Sequence, residues 1–365
     1  MLQTPAALLV INVTPTLGPG ATSSIVASLQ SELKRQKIRN YWVALSNPNQ
    51  VEINSERFSL NARKPPLTSI YSLRSTVKEL AKDGKNWVIV HSHLSWAFYV
   101  AFFACLGLDV KLVHTEHNSY NKRRGIRLIR WLEGWVYRRH SRVFAISLGV
   151  KEELAKWIGI SEEEEGLIEV IENGTLLYER KKTKRALGGP LNVVSLARLE
   201  RQKGIDLAID AIAMSGEMVN EYRIYGDGSL RQELTDKVSG HELGYKIRLL
   251  GRTNDVATAL NWADVVLMPS RWEGFGLVAV EAMSSGLPLI ASRVPGLSGV
   301  IGEENPGVYW LESITPVEIA AGLRFFFERQ ASLQEMTTFS VSRAQKYSLQ
   351  RMVEKYVLAY KSVSA

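Results

Sequence analysis

Short runs rich in Val, Ile and Leu recur from one end of this chain to the other, each followed by a longer stretch of helical periodicity. The runs are ALLVINV, YWVAL, WVIVHSH, KLVHTEH and VFAIS in the first half, and LNVVSLA, YRIYG, KIRLLG, DVVLMPS and LPLIAS in the second. Continuous apolar strands separated by helices make parallel sheets covered on both faces, because an exposed face would require alternation of polar and apolar residues. A chain of 365 residues with 45% hydrophobic content can build two such cores. The expected fold class is therefore α/β, as two doubly wound domains. The polar stretch ERKKTKRALGGP, closed by Gly-Gly-Pro, reads as the linker and puts the boundary near Lys184.

Composition narrows the function. The one cysteine, Cys105, lies in the apolar run WAFYVAFFACLGL, which excludes an intrachain disulfide and a thiolate metal cluster and fits a reducing cytoplasm. The opening MLQTPAALLVINVTP has no basic n-region and reads as a first buried strand, and the run 96–108 is too short to span a bilayer. A net charge of +8 admits nucleic acid, a phosphorylated small molecule or a membrane surface as partner. The excess is local: Lys111, Lys122, Arg123, Arg124, Arg127, Arg130, Arg138, Arg139 and Arg142 face only Glu116 and Glu133. Interleaved with Ile126, Leu128, Ile129, Trp131 and Trp135, the segment from Lys122 to Arg142 suits an anionic membrane surface. It equally suits a helix that packs its apolar face on a sheet. No nucleic-acid module accompanies it.

Ligands of doubly wound sheets bind beyond the carboxyl ends of the strands. Gly18 and Gly20 lie between the first strand and a helix, where the backbone can approach an anion or simply turn tightly. Arg198 and Lys203 in SLARLERQKG bring a guanidinium and an ammonium to a strand-to-helix junction, as a diphosphate requires; either one alone reads as a solvated loop charge. Gly226 ends the strand in YGDGS. The stretch SRWEGFGLVAVEAMSSGLPLIA carries Glu273 at a helix entry and Glu281 inside the helix, both in apolar company. Buried carboxylates need partners. Either they accept hydrogen bonds from sugar and ribose hydroxyls, with the turn Gly274-Phe275-Gly276 offering N–H groups, or Glu273 caps the helix and Glu281 pairs with a base. His93 and His117 end two strands, where histidine is as readily structural as catalytic. No metal-ligand spacing is present.

Taken together, EGFGLVAVEAMSSGLPLIAS, ARLERQKGIDLAIDAI, YGDGSLRQEL, IENG and the closing YSLQRMVEKYVLAY resemble the GT-B glycosyltransferases, specifically family 4 of the retaining, sugar-nucleotide-dependent enzymes. The resemblance runs over most of the chain. It implies two Rossmann-like domains, 1–184 on the acceptor side and 185–345 binding the nucleotide sugar, with a cleft between them and a helix in 346–365 crossing back to the first. By the same resemblance Arg198 and Lys203 hold the donor diphosphate, Glu281 the ribose and Glu273 the transferred sugar. Phe275, Gly276 and Leu277 offer backbone N–H groups, Gly20 and Gly226 belong to the donor site, His117 lies by the reacting sugar at the acceptor side and is with Glu273 the catalytic pair, and Asn173 and Gly174 end a strand near the junction. Two loops depart from the usual pattern: GPGATSS lacks the paired glycines followed by Glu, and SRVPGLSGV has Ser298-Gly299 where a charge is common.

What the resemblance implies for function is retention of anomeric configuration by front-face displacement, with Arg198, Lys203 and helix N-termini stabilising the leaving nucleoside diphosphate. The donor is expected to be a nucleoside-diphosphate hexose or N-acetylhexosamine such as a UDP-sugar, with no cofactor and no metal. The acceptor is expected to be a lipid-linked saccharide of a bacterial surface polysaccharide or lipopolysaccharide, on the inner face of the cytoplasmic membrane. A sugar-nucleotide 2-epimerase and a non-catalytic partner subunit of the same fold are the alternatives. Nucleic acid is not an expected partner.

Overall fold

The computed structural model describes residues 7–18, 20–47, 54, 56–60, 66–82, 86–117, 126–179 and 188–364. The chain forms two compact units, Met1–Gly174 with Leu349–Ala365, and Thr175–Ser348. Among the described residues the first unit carries β1 (Ala7–Thr16), β2 (Arg39–Ser46), β3 (Arg57–Ser59), β4 (Asn86–His93), β5 (Lys111–Glu116), β6 (Arg142–Ala145) and β7 (Ile168–Val170). They form one sheet in the order β3-β2-β1-β4-β5-β6-β7. The second unit carries β8 (Leu191–Leu196), β9 (Val219–Tyr225), β10 (Ile247–Gly251), β11 (Val265–Met268), β12 (Leu289–Ser292) and β13 (Val308–Leu311), in the order β10-β9-β8-β11-β12-β13. Every pairing between these strands is parallel.

The strand order explains why the apolar runs are continuous. Ile11 lies between Tyr41 and Val90 across the sheet, and Leu9, Val10, Ile11 and Val13 are all fully buried, so both faces of β1 are covered. In the second unit Ile205, Ile209, Tyr222, Leu267, Leu323 and Phe326 share one core. Tyr222 brings a hydroxyl into it, which is satisfied by Ser195 Oγ at 2.8 Å, and Ser195 in turn donates to the Leu267 carbonyl at 2.6 Å. In both sheets the order reverses beside the first strand, between β1 and β4 and between β8 and β11. Those two points are where each sheet opens a crevice at its carboxyl edge.

The division falls at Gly174/Thr175, ahead of the polar stretch that suggested Lys184. Thr175 already belongs to the second unit: its N–H donates to the Tyr347 carbonyl, it bridges Ser348, and its hydroxyl donates to Glu281. Residues 180–187 of the expected linker, Lys184 included, lie outside the described residues. The chain returns to the first unit as the helix Leu349–Ser364, three residues later than the expected start at 346. Met352, Tyr356 and Tyr360 of that helix are buried at a four-residue spacing. Tyr360 OH lies 2.6 Å from His91 Nδ1, His91 Nε2 lies 2.7 Å from Thr115 Oγ1, and Thr115 Oγ1 lies 3.1 Å from Tyr356 OH.

Part of the basic segment is described as the helix Arg127–Tyr137; residues 118–125, with Lys122, Arg123 and Arg124, lie outside the description. Three of its neighbouring cations are used internally. Arg130 donates to the Trp157 carbonyl at 2.7 Å, Arg138 donates to the Gly159 carbonyl at 2.8 Å and pairs with Glu164 at 2.6 Å, and Arg142 donates to the Gly166 carbonyl at 2.8 Å. Arg130 and Arg138 thus satisfy carbonyls at the C-terminal end of the helix Leu148–Ile158, the end that favours positive charge. The helix Arg127–Tyr137 buries Val136 and Tyr137 while leaving Trp131, Leu132 and Trp135 exposed. Among the described residues no helix is long and apolar enough to cross a membrane.

Candidate active site

In the second unit the loops after β8 and β11 flank the reversal of strand order and are stitched to each other. Arg271 N–H donates to the Gln202 carbonyl at 2.7 Å, Gln202 Nε2 donates to the Trp272 carbonyl at 2.8 Å, and the Arg271 guanidinium grips both oxygens of Asp206 at 3.0 and 2.7 Å. Within this frame Lys203 Nζ meets both oxygens of Glu273, at 2.9 and 2.6 Å. Side-chain exposures of 16% and 11% make this a mostly desolvated pair, in which each ion is the other's compensation. Arg198 is exposed, one Nη bonded to Gln202 Oε1 at 3.1 Å, and Arg201 is exposed beside it. The loop therefore presents an exposed guanidinium next to a lysine that is already paired with a carboxylate.

The helix Leu277–Ser284 begins at Gly276, which holds the N-cap position with φ 84°. Glycine is required there twice over: the backbone is left-handed, and a Cβ would sit 2.4 Å from Leu297 Cδ2. Glu273 is accordingly not the N-cap residue, and Phe275 is buried with its ring edge-on to Tyr347 at 5.5 Å. What Phe275, Gly276 and Leu277 can offer a ligand is backbone. Glu281, one turn into the helix, accepts from Thr175 Oγ1 at 2.8 Å. Burial pushes its carboxyl up to about 7, with the Thr175 bond pulling the other way, and no base pairs with it among the described residues. Gly226 follows β9, where a Cβ would lie 1.7 Å from the Ala197 carbonyl oxygen, so close packing of the loops after β8 and β9 requires a glycine here.

In the first unit Gly20 is the N-cap residue of the helix Ala21–Arg35, with φ 154° and open space where a Cβ would stand. His93 is the last residue of β4 and His117 the first after β5. His117 is part-exposed, and burial of its ring lowers it to about 4, so it is neutral at pH 7. His91, His93 and His114 are likewise held neutral, burial lowering each well below the usual histidine range. Sequence reasoning overlooked His140, which is buried, stacked on Phe98 at 4.9 Å and bonded to the Val136 carbonyl at 3.0 Å. It also overlooked Thr175 as the partner of Glu281, and Asn12, a buried amide inside an apolar strand, which was the one of the three with a visible signal. Among the described residues no group of three His, Cys, Asp or Glu side chains is arranged to hold a metal ion.

Two parallel sheets of this order, each with its candidate residues at the carboxyl edge, define the class as GT-B. Sucrose-phosphate synthase from Thermosynechococcus elongatus superposes with a TM-score of 0.81 at 17% identity over 98% of this chain and 99% of that one. Anabaena HepE in complex with UDP-glucose does so with 0.81 at 19% identity, over 97% and 100%. The family model for glycosyltransferase family 4 matches residues 22–175 and that for glycosyl transferases group 1 matches residues 178–340. The chain belongs to this family of glycosyltransferases. Among curated relatives, glycogen synthase of Mycobacterium tuberculosis is 27% identical over 278 residues, 71% of this chain and 64% of that protein's length.

Proposed function

We propose that the protein is a retaining glycosyltransferase that moves a hexosyl or N-acetylhexosaminyl group from a nucleoside-diphosphate sugar, with UDP the nucleotide, to a lipid-linked saccharide of a bacterial surface polysaccharide. The observation that carries the reading is the desolvated Lys203–Glu273 pair beside Arg198 at the carboxyl ends of β8 and β11. Lys203 neutralises Glu273. A diphosphate would draw on the Lys203 ammonium and the exposed Arg198 guanidinium together, freeing Glu273 oxygens to accept from hydroxyls of the sugar, while Glu281 would accept from a ribose diol. The bound UDP-glucose of HepE supports the choice of nucleotide.

As charge develops on the leaving diphosphate, the two fixed cations and the N–H groups at Gly276 and Leu277 would stabilise it without reorganisation. The reaction on this reading needs no divalent metal, and a chelator leaves turnover intact. Membrane attachment is part of the proposal for a lipid-linked acceptor. It is supported by the exposed Trp131, Leu132 and Trp135, and by the charge: the first unit holds 25 Lys and Arg against 17 Asp and Glu, the second 20 against 20, so the whole excess of +8 is on the first.

The deciding measurement is titration calorimetry with UDP. Arg198 is exposed and its removal leaves no buried charge, so Arg198→Ala should keep the parent melting temperature and weaken UDP binding about tenfold or more. Equal affinity for UDP in parent and variant would remove the diphosphate assignment.

A further inference from the structure

Five of the chain's six histidines fall in the first unit, and His117 alone among those five is part-exposed. It ends a line of buried polar groups that crosses three adjacent strands. Asn12 on β1 is fully buried with Oδ1 3.3 Å from His93 Nε2, and His93 Nδ1 is 3.4 Å from His117 Nε2. Among the described residues Asn12 Nδ2 has no partner, which is the cost of turning the amide oxygen toward His93.

The direction of this line follows from what each atom can do. An amide oxygen only accepts, so His93 Nε2 carries the proton. Burial keeps His93 neutral, so its Nδ1 is bare and can only accept. The proton between the two rings therefore belongs to His117 Nε2, and a neutral His117 is left with a bare Nδ1 that bonds no protein group among the described residues.

We propose that Asn12 and His93 are positioning residues that hold His117 as its Nε2–H tautomer, so that Nδ1 offers a substrate hydroxyl an acceptor. This rests on the reading of His117 as an acceptor-side residue. The consequence is chemical selectivity: a bare lone pair attracts a hydroxyl and repels a phosphate or carboxylate oxygen, so this position discriminates a neutral sugar hydroxyl from an anionic group.

The test is a long-range proton–nitrogen NMR correlation spectrum of the full chain labelled with ¹⁵N-histidine at neutral pH, with His117 assigned by its loss in His117→Gln. Both His93 and His117 should show a protonated Nε2 and a bare Nδ1. In His93→Leu and in Asn12→Leu the His117 ring should populate both tautomers, seen as its Nδ1 resonance moving part of the way toward the protonated position. His93→Asn, which can put an amide oxygen where Nδ1 stood, should restore the single tautomer. A His117 protonated on Nδ1 in the parent, or an unchanged single tautomer in both leucine variants, overturns the proposal. If His93→Leu does not fold, the parent spectrum and Asn12→Leu decide it. The spectrum is taken without substrate, so its outcome is independent of the UDP titration and either can fail alone.

Discussion

Two carboxylates in one apolar stretch are compensated in different ways, and the difference has a measurable consequence. Glu273 is met by a lysine 70 positions earlier, whereas Glu281 is met by a hydroxyl 106 positions earlier and by a raised affinity for its own proton. A carboxyl that binds its proton more tightly folded than unfolded adds stability at low pH. That contribution is complete below about 4.5 and is lost as pH rises through about 7. The full swing is on the order of 3 kcal/mol. Glu281→Gln keeps an oxygen for Thr175 and cannot ionise, so its stability relative to the parent should rise between pH 5 and pH 8, in the direction of the variant. Urea midpoints at the two pH values check this, since the buried histidines titrate in both proteins and cancel. Equal changes in parent and variant would show that Glu281 ionises as an ordinary surface carboxyl. The identity of the two glutamates was legible from apolar neighbours; their partners were not, because nothing local in a sequence points to a residue 70 or 106 places away.

The strands missed in the sequence lie at sheet edges, although one edge strand, β10, was seen as KIRLLG. All ten apolar runs are strands, from ALLVINV in β1 to LPLIAS in β12. The strands β3 and β13, RFS and VYWL, were missed, and β7, IEV, was marked only by the resemblance, which put a strand end at Asn173 and Gly174 just beyond it. RFS and IEV are three residues long with a charge among them, so no continuous apolar run marks them. The closing helix was legible by resemblance, but its attachment is a polar one. His91 has both ring nitrogens bonded in a fully buried site, to Tyr360 and to Thr115. Tyr360→Phe keeps the ring volume and orphans one nitrogen, so it should lower the stability of the first unit by about 1–3 kcal/mol. Hydrogen exchange across Leu349–Ser364 should quicken accordingly, and unchanged exchange there would mean that apolar packing of Met352, Tyr356 and Val357 holds the helix without the His91 bond.

At the scale of the whole chain, the charge sum was legible but its use was not. The sequence presents the arginines around the helix Arg127–Tyr137 as one basic surface, yet Arg130, Arg138 and Arg142 bond carbonyls and Glu164, and Arg139 lies over the Trp135 ring. Bonds to carbonyls fix the donors of Arg130 and Arg142 without cancelling their charge, whereas Trp131 at 73% and Leu132 at 40% exposure have apolar area to bury. Attachment to a bilayer should therefore depend on these two side chains, with the overall +8 supplying a longer-range attraction that salt screens. Vesicles of phosphatidylglycerol and phosphatidylcholine, compared with vesicles of phosphatidylcholine alone, separate the two contributions by co-sedimentation. The parent should bind the anionic vesicles more tightly at low salt than at high salt. The double variant Trp131→Ser, Leu132→Ser should bind both kinds about tenfold less at either salt concentration. Replacing Arg123, Arg124 and Arg127 with Gln takes the net charge from +8 to +5 and should weaken the salt-dependent part alone. A double variant that sediments like the parent would show that this helix face does not touch the bilayer, and a triple variant with undiminished salt dependence would assign the long-range attraction to other cations of the first unit.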